Sequence, residues 1–138
     1  GLDQALGQAL GPMLEGHSTW LLVGGVALAV SFLTEITSNT ATTAVLLPVV
    51  GEAAAAAGLD PRMVMVPTAL AASAAFMLPV ATPPNAVVFS SGRVGAGVMA
   101  RAGLWMNLLT VVLLTIVFQL WVRRVWGIGG GIPAFLAP

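Results

Sequence analysis

Cysteine is absent from this chain of 138 residues, and charged residues make up only 7% of it. Without cysteine there is no disulfide framework, no thiol nucleophile and no thiolate metal site. A soluble domain carries about 25% charged residues. The low charge, together with 58% hydrophobic residues and a mean hydropathy of +0.99, therefore indicates an integral membrane protein.

The sequence also lacks the residue patterns of nucleic-acid-binding proteins and of enzymes. The five basic residues are all arginine and are balanced by five acids. No basic patch that would bind nucleic acid is present, so we expect no nucleic-acid partner. A Ser-His-Asp set, a phosphate-binding loop and a catalytic pair of carboxylates are missing too, which predicts that the chain is not an enzyme. Because it opens on Gly1 without a start Met, we expect a fragment of a longer protein.

What the chain does have is a polar cluster, Ser38-Asn39-Thr40, between two uncharged apolar arms. As helices, the arms at residues 20–33 and 41–50 would be about 21 and 15 Å long. Neither would cross a hydrocarbon core of roughly 30 Å. The pattern predicts a re-entrant helical hairpin over residues 19–58, capped at its start by a Ser or Thr, with its polar tip deep inside protein.

A proline pair follows an apolar stretch of spanning length. Residues 63–80 carry no charge, and Thr82-Pro83-Pro84-Asn85 comes next. Adjacent prolines lack two amide donors and exclude the preceding helical turn. Residues 59–93 are therefore predicted to form a discontinuous transmembrane helix, entered from an aqueous turn at Asp60-Pro61 and broken at residues 81–85.

The remaining segments look simpler. Residues 1–18 are predicted to end a preceding helix and connect it to the hairpin. Residues 94–126 are predicted to hold most of a loop over 93–101 and a final transmembrane helix over 104–122. A loose tail is predicted at 127–138. Arg93 and Arg101 balance Arg123 and Arg124 across that last span, so charge does not set the membrane orientation.

A hairpin tip and a broken helix together form a device found in membrane transporters. The N-terminus of a half-helix favours anions, so the Ser38-Asn39-Thr40 tip predicts a carboxylate site. The side chains of Thr34, Thr37 and Asn39, with the carbonyls of residues 81–85, predict a sodium site. Hard oxygen ligands without a carboxylate favour a weakly held monovalent ion over calcium.

Each feature also has a purely structural interpretation. Ser-Asn-Thr is an ordinary helix cap, and Pro-Pro can simply kink a membrane helix. Glu35 is the only ionisable residue deep in an apolar region. It is either a structural carboxyl that accepts amides at the tip or pairs with a missing partner, or a group coupled to protons. A non-transporting helical membrane subunit therefore stays open as a second class.

Residues 34–42 (TEITSNTAT) and 79–86 (PVATPPNA) closely resemble motifs of the divalent-anion/sodium symporter family, the sodium:dicarboxylate/sulfate symporters. The resemblance extends over roughly residues 20–126 and matches the second of two inverted repeats. It implies an all-α integral membrane fold and elevator-type transport of C4-dicarboxylates (succinate, malate, fumarate) coupled to sodium. Dicarboxylate exchange, or transport of sulfate or another oxyanion such as citrate or arsenite, is the alternative.

The same resemblance implies roles for single residues. Those that would meet substrate are Ser38, Asn39, Thr40, Thr82 and Pro83. Those that would bind sodium are Thr34, Thr37, Asn39 and Ala81, with Thr37 and Ala81 acting mainly through backbone carbonyls. The implied partners are the missing N-terminal repeat, a second copy of the full-length protein, membrane lipid, and a dicarboxylate or sulfate, in a bacterial inner membrane. We expect that these 138 residues do not transport alone.

Overall fold

The computed structural model describes residues 18–129, 131 and 133, and all regular secondary structure in that part is helical. The predicted all-α class is thus confirmed for these residues, while the predictions for residues 1–17 and most of the tail lie outside them. Five helices of eight or more residues follow one another: α1 Thr19–Leu33, α2 Asn39–Ala56, α3 Arg62–Ala71, α4 Pro83–Ser90 and α5 Ala96–Val117.

Hydroxyl caps start the first two helices. Ser18 Oγ accepts a hydrogen bond from the amide of Leu21 at 3.3 Å, and Ser38 Oγ accepts one from the amide of Ala41 at 3.4 Å. The predicted cap before the first arm is therefore confirmed. The helix after the tip ends at Ala56, two residues before the predicted end of the hairpin segment at residue 58. Its last residues are alanines, which favour helix, and Gly58 ends it with φ +71°.

The helix break differs from the prediction in position and length. The sequence predicts helix up to residue 80 and a break at 81–85, but α3 ends at Ala71 and residues 72–82 form no helix. We call residues 72–82 the unwound segment. Pro83 and Pro84 begin α4 instead of interrupting a helix. Proline fits the first helical turn because its missing amide would have no partner there.

The turn before α3 is not the aqueous turn that the sequence predicts. Asp60 is fully buried, and its carboxylate accepts hydrogen bonds from Arg62, with the shortest contact, to Nη2, at 2.7 Å. Arg62 Nη1 also donates to the carbonyl of Trp126 at 3.3 Å. The buried carboxylate of Asp60 is tolerated because Arg62 pairs with it and donates hydrogen bonds to it.

The last helix is longer than predicted. Ala96–Val125 is 30 residues long and contains an 18-residue stretch with a mean hydropathy of 1.9; within the described residues it is the one helix long and apolar enough to cross a membrane. It includes Arg101, which the sequence places in a loop; alanine, methionine and arginine at this end all favour helix. Near its end, Phe118–Val122 forms a π-helical turn, after which Arg123 Nη1 donates to Gln119 Oε1 at 2.7 Å and Thr19 Oγ1 at 3.2 Å.

The core lies where α1 packs against both α3 and α5, while α2 packs against α3. Buried apolar side chains fill two clusters along α1. The main ones are Leu22, Val23, Met63, Val64 and Phe118 in one cluster, and Ala27, Val30, Ala71, Ala72 and Val111 in the other. In contrast, α4 buries only Asn85. The tip at residues 38–40 contributes no buried apolar side chain to either cluster, and the unwound segment contributes only Ala72.

Candidate functional site

Thr34 is buried at the end of α1, and its hydroxyl turns back onto the helix. Oγ1 lies 3.1 Å from the carbonyl oxygen of Val30 and 3.0 Å from that of Ser31. A hydroxyl has one hydrogen to donate and two lone pairs. Thr34 therefore keeps an oxygen able to accept from a donor or to ligate a cation at the start of the tip.

Thr37 closes the tip by joining the two helices beside it. Its Oγ1 donates to the carbonyl of Leu33 at 2.7 Å and lies 2.7 Å from Thr42 Oγ1 on the first turn of α2. The side chain is thus occupied within the protein. A ligand role for Thr37 would fall to its backbone carbonyl, as the family resemblance implies.

Asn39 has a buried polar atom without a hydrogen-bond partner in the described protein. Its side-chain Oδ1 is buried and has no hydrogen-bond partner among the described residues. Leaving such a group unpaired costs about 1–3 kcal/mol. Ser38 is the cap before it and Thr40 is exposed behind it, on the first turn of α2. An amide oxygen stripped of water and protein donors is a suitable ligand for a cation.

The unwound segment is held by side chains from several helices. Ser31 on α1 donates to the carbonyl of Ala74 at 2.6 Å. Asn85 on α4 donates through Nδ2 to the carbonyls of Ala75 and Leu78, both at 3.0 Å. Backbone groups outside a helix need such partners when water is excluded. Side chains therefore supply the hydrogen bonds that other backbone groups would supply within a helix.

Glu35 binds the same segment through its backbone amides. The carboxylate is only 3% exposed. Met77 N donates to Oε1 at 2.9 Å and to Oε2 at 3.1 Å, and Leu78 N donates to Oε2 at 2.9 Å. The sequence predicts amides of the tip, or a missing residue, as structural partners of this carboxyl. The structure shows amides of the unwound segment instead.

Asn107 lies fully buried near the middle of α5 and completes this contact. Its Nδ2 donates to Glu35 Oε1 at 2.7 Å, while its Oδ1 accepts from Phe76 N at 3.2 Å. Neither Asn107 nor Ser31 is predicted as a site residue from the sequence. The available signal is a polar side chain inside an uncharged apolar helix, which by itself marks a buried, partnered group.

Gly103 lets α5 approach the unwound segment closely. A Cβ added at Gly103 would collide with the carbonyl of Phe76 and with Met77 Cα. Only glycine fits such a close backbone approach. The backbone of the unwound segment is therefore packed directly against the long helix.

The other predicted site residues lie where the unwound segment meets α4. Ala81 N donates to the carbonyl of Leu78 at 3.1 Å, and Thr82 Oγ1 caps α4 by accepting from Asn85 N at 3.3 Å. Pro83 is exposed at the first position of α4. In the described part of the chain no hydrogen bond joins the Ser38-Asn39-Thr40 tip to Thr82. The two sides are connected indirectly, through Glu35, the backbone of Leu78 and Asn85.

Two known proteins are similar in sequence to this chain over most of its length. The sodium-dependent dicarboxylate transporter SdcS of Staphylococcus saprophyticus is 44% identical over 128 residues, which cover 93% of this chain and 24% of the relative. The protein of the same name from Staphylococcus aureus (strain USA300) is 42% identical over 117 residues, which cover 85% of this chain and 22% of the relative. The chain spans about a quarter of the length of these relatives.

A family model described as the sodium:sulfate symporter transmembrane region matches residues 1–128, which is nearly the whole chain. This match confirms the resemblance drawn from the two motifs. Such symporters are transport proteins and not enzymes, and a long apolar helix agrees with a place in the membrane. The chain belongs to the sodium:sulfate symporter family of membrane transporters.

Proposed function

We propose that this chain forms part of the C-terminal half of a sodium-coupled transporter for divalent anions, with C4-dicarboxylates such as succinate, malate and fumarate as substrates. The observation that carries this proposal is the buried, unpartnered Oδ1 of Asn39 beside the start of α2. The relatives named sodium-dependent dicarboxylate transporters support the choice of ion and substrate. Sodium is a transported ion here, not a resident metal.

The proposed sodium ligands are Thr34, Thr37, Asn39 and Ala81. Thr34 and Asn39 offer side-chain oxygens, and Thr37 and Ala81 offer backbone carbonyls. The one carboxylate nearby, Glu35, already accepts three N–H donors. Neutral oxygens alone hold a cation weakly, which suits an ion that must be released on the other side of the membrane. In the described residues no cluster of His, Cys, Asp or Glu offers a stronger metal site.

The proposed substrate contacts are Ser38, Asn39, Thr40, Thr82 and Pro83. The amides of Asn39 and Thr40 precede the first intrahelical hydrogen bond of α2, which runs from Thr42 N to the carbonyl of Ser38. These free N–H groups and the helix dipole favour a carboxylate. In contrast, α4 begins with two prolines and has no amide to offer there. Its contribution would come from the Thr82 hydroxyl, which can donate to an anion while it accepts from Asn85 N.

The order of binding follows from charge. Two carboxylates are expensive to remove from water, and the tip carries no positive side chain to receive them. Sodium bound first would supply that charge and would satisfy Asn39 Oδ1 before the dianion arrives. The tip and the unwound segment would then move together, in an elevator-like step, against a scaffold formed by the rest of the protein.

Sulfate is the second candidate substrate, because the description of the matching family names it. Exchange of one dicarboxylate for another would use the same site. We further propose that the missing N-terminal repeat completes the site. The full-length protein would form a homodimer, surrounded by lipid in a bacterial plasma membrane.

The test is uptake by liposomes that contain the full-length transporter with these residues. An inward sodium gradient should drive accumulation of labelled succinate, whereas an equal potassium gradient should not. Preloaded unlabelled succinate without a sodium gradient separates exchange from symport, and labelled sulfate tests the second substrate. The 138 residues alone should give no uptake. Failure of the full-length protein to take up either anion with sodium would overturn the proposed function.

A further inference from the structure

Glu35 lies between two proposed sodium ligands of the tip yet makes its contacts elsewhere. It follows Thr34 directly in the chain and precedes Thr37 by two positions. All the hydrogen bonds described for its carboxylate reach other elements, namely the amides of Met77 and Leu78 and the side chain of Asn107. The carboxylate therefore ties the tip to the unwound segment and to α5.

Side chains of other elements form hydrogen bonds with both the N–H groups and the carbonyl groups of the unwound segment. Its N–H groups at Phe76, Met77 and Leu78 donate to Asn107 and Glu35. The carbonyls of Ala75 and Leu78 accept from Asn85 Nδ2. Four consecutive residues of irregular backbone thus have fixed partners on three separate elements. Glu35 accepts from two of these amides and from the side chain of Asn107, so it connects two of the three elements.

The held backbone leads directly into the second half of the proposed site. Leu78 is three residues before Ala81, and the hydrogen bond from Ala81 N to the Leu78 carbonyl closes a tight turn between them. Thr82 follows at the cap of α4. A shift of Leu78 would therefore move the carbonyl of Ala81 and the hydroxyl of Thr82 relative to Thr34 and Asn39.

We propose that Glu35 and Asn107 are positioning residues that preassemble the ion and substrate site. They act by holding the unwound segment at one fixed distance from the hairpin tip before any ligand binds. This inference rests on the proposed function of the tip and the cap of α4. Preorganised groups bind more tightly because less order has to be imposed on binding. Loss of the tie therefore weakens binding of sodium and substrate together, although neither residue touches them.

The test compares three variants of the full-length transporter. Glu35→Gln and Asn107→Ala each weaken the tie by removing part of its hydrogen bonds, whereas Glu52→Gln makes the same Glu-to-Gln change at an exposed carboxylate on α2. We expect the half-saturating sodium concentration and the KM for succinate to rise about tenfold in the first two, as the loss of a charged hydrogen bond implies. Glu52→Gln should keep wild-type values. The double variant Glu35→Gln/Asn107→Ala should be little worse than the more severe single, because both residues act in one network.

A merely structural role predicts a different result. It would lower the amount of inserted protein and its thermal stability, and would leave both half-saturation constants unchanged in the protein that remains. That outcome overturns the inference. If Glu35→Gln does not insert, Asn107→Ala and Asn85→Ala carry the test, because each removes only part of the network; wild-type constants in both would overturn it too.

A binding measurement keeps this inference separate from the proposed function. Sodium should raise the melting temperature of the purified full-length protein, since a ligand of the folded state stabilises it. The two tie variants should need about tenfold more sodium for the same rise. A wild type that does not transport but shows this sodium shift would overturn the proposed function alone. A wild type without any sodium shift, or tie variants with the wild-type sodium dependence, would overturn the positioning role.

Discussion

Asn107 donates its side-chain amide to the carboxylate of Glu35 across 2.7 Å, although 72 residues separate the two along the chain. This single hydrogen bond joins the middle of the longest helix to the base of the polar tip. The same asparagine accepts an amide of the unwound segment. Three regions that the sequence separates widely thus meet at one buried polar cluster, beside the proposed ion site.

Replacing Thr34 with alanine should weaken sodium activation of the full-length transporter, because it removes one proposed oxygen ligand. Thr115→Ala is the matched control. Thr115 is also buried, and its Oγ1 likewise donates to the carbonyl four residues earlier, at 2.7 Å. Uptake measured against sodium concentration should shift to higher concentrations in Thr34→Ala only. Equal shifts in the two variants would mean that loss of a helix-bound hydroxyl, and not loss of a ligand, is responsible.

Asn39→Ala should separate stability from ion binding. The Asn39 Oδ1 has no partner in the described protein, so its removal leaves no donor unpaired and relieves a cost of about 1–3 kcal/mol. Without sodium, we expect the melting temperature of the full-length variant to equal or exceed that of the wild type. Added sodium should then stabilise the variant far less than the wild type. A variant that is destabilised without sodium and still responds fully to it would contradict a ligand role.

Gly103→Ala should disrupt the site without altering any polar group. The new methyl group would overlap the carbonyl of Phe76, so the unwound segment or α5 would have to move. Overpacking of this kind costs about 1–3 kcal/mol or more. Gly97→Ala, on the same helix with open space around its Cβ position, is the control and should be neutral or slightly stabilising. Thermal unfolding and succinate uptake of the two variants should differ clearly; similar behaviour would show that the close approach is unimportant.

Thr82→Val should raise the KM for succinate while leaving the sodium dependence largely unchanged. The substitution keeps the shape of the side chain but removes the hydroxyl that caps α4, at a cost of about 0.5–2 kcal/mol in stability. Thr82→Ser retains the hydroxyl and should behave like the wild type in both measurements. If the valine variant keeps its KM and loses only stability, Thr82 is a cap and nothing more.

The sequence predicted well what local chemistry decides. The scarcity of charge indicated a membrane protein, Ser18 and Thr19 indicated the start of α1, and Pro83-Pro84 indicated an interruption in the helical pattern. The predicted position of that interruption was wrong, because proline is tolerated in the first turn of a helix and the unwound segment comes before the two prolines. The burial of Asp60 was also missed. Its partner Arg62 is only two residues away, but Arg62 also donates to the carbonyl of Trp126, 64 residues away, which no local pattern contains.

The polar cluster around Glu35 could be anticipated only in part. A lone carboxylate in an apolar segment signals that partners exist, but those partners are backbone amides 42 and 43 positions away and a side chain 72 positions away. Amides of irregular backbone leave no mark in composition or periodicity. The choice among possible partners is made by packing of α1 and α5, which no local pattern contains.

The π-helical turn at Phe118–Val122 has a consequence for the end of the long helix. A π turn holds one more residue than an α turn, and each residue of a helix turns the chain by about 100°. The extra residue therefore re-aims everything after it, and brings the guanidinium of Arg123 onto the first residue of α1, Thr19. Deleting a single residue here would rotate that guanidinium away from Thr19. The longest helix would then lose this hydrogen bond to α1 near its end, while Asn107 would still bind Glu35 near its middle.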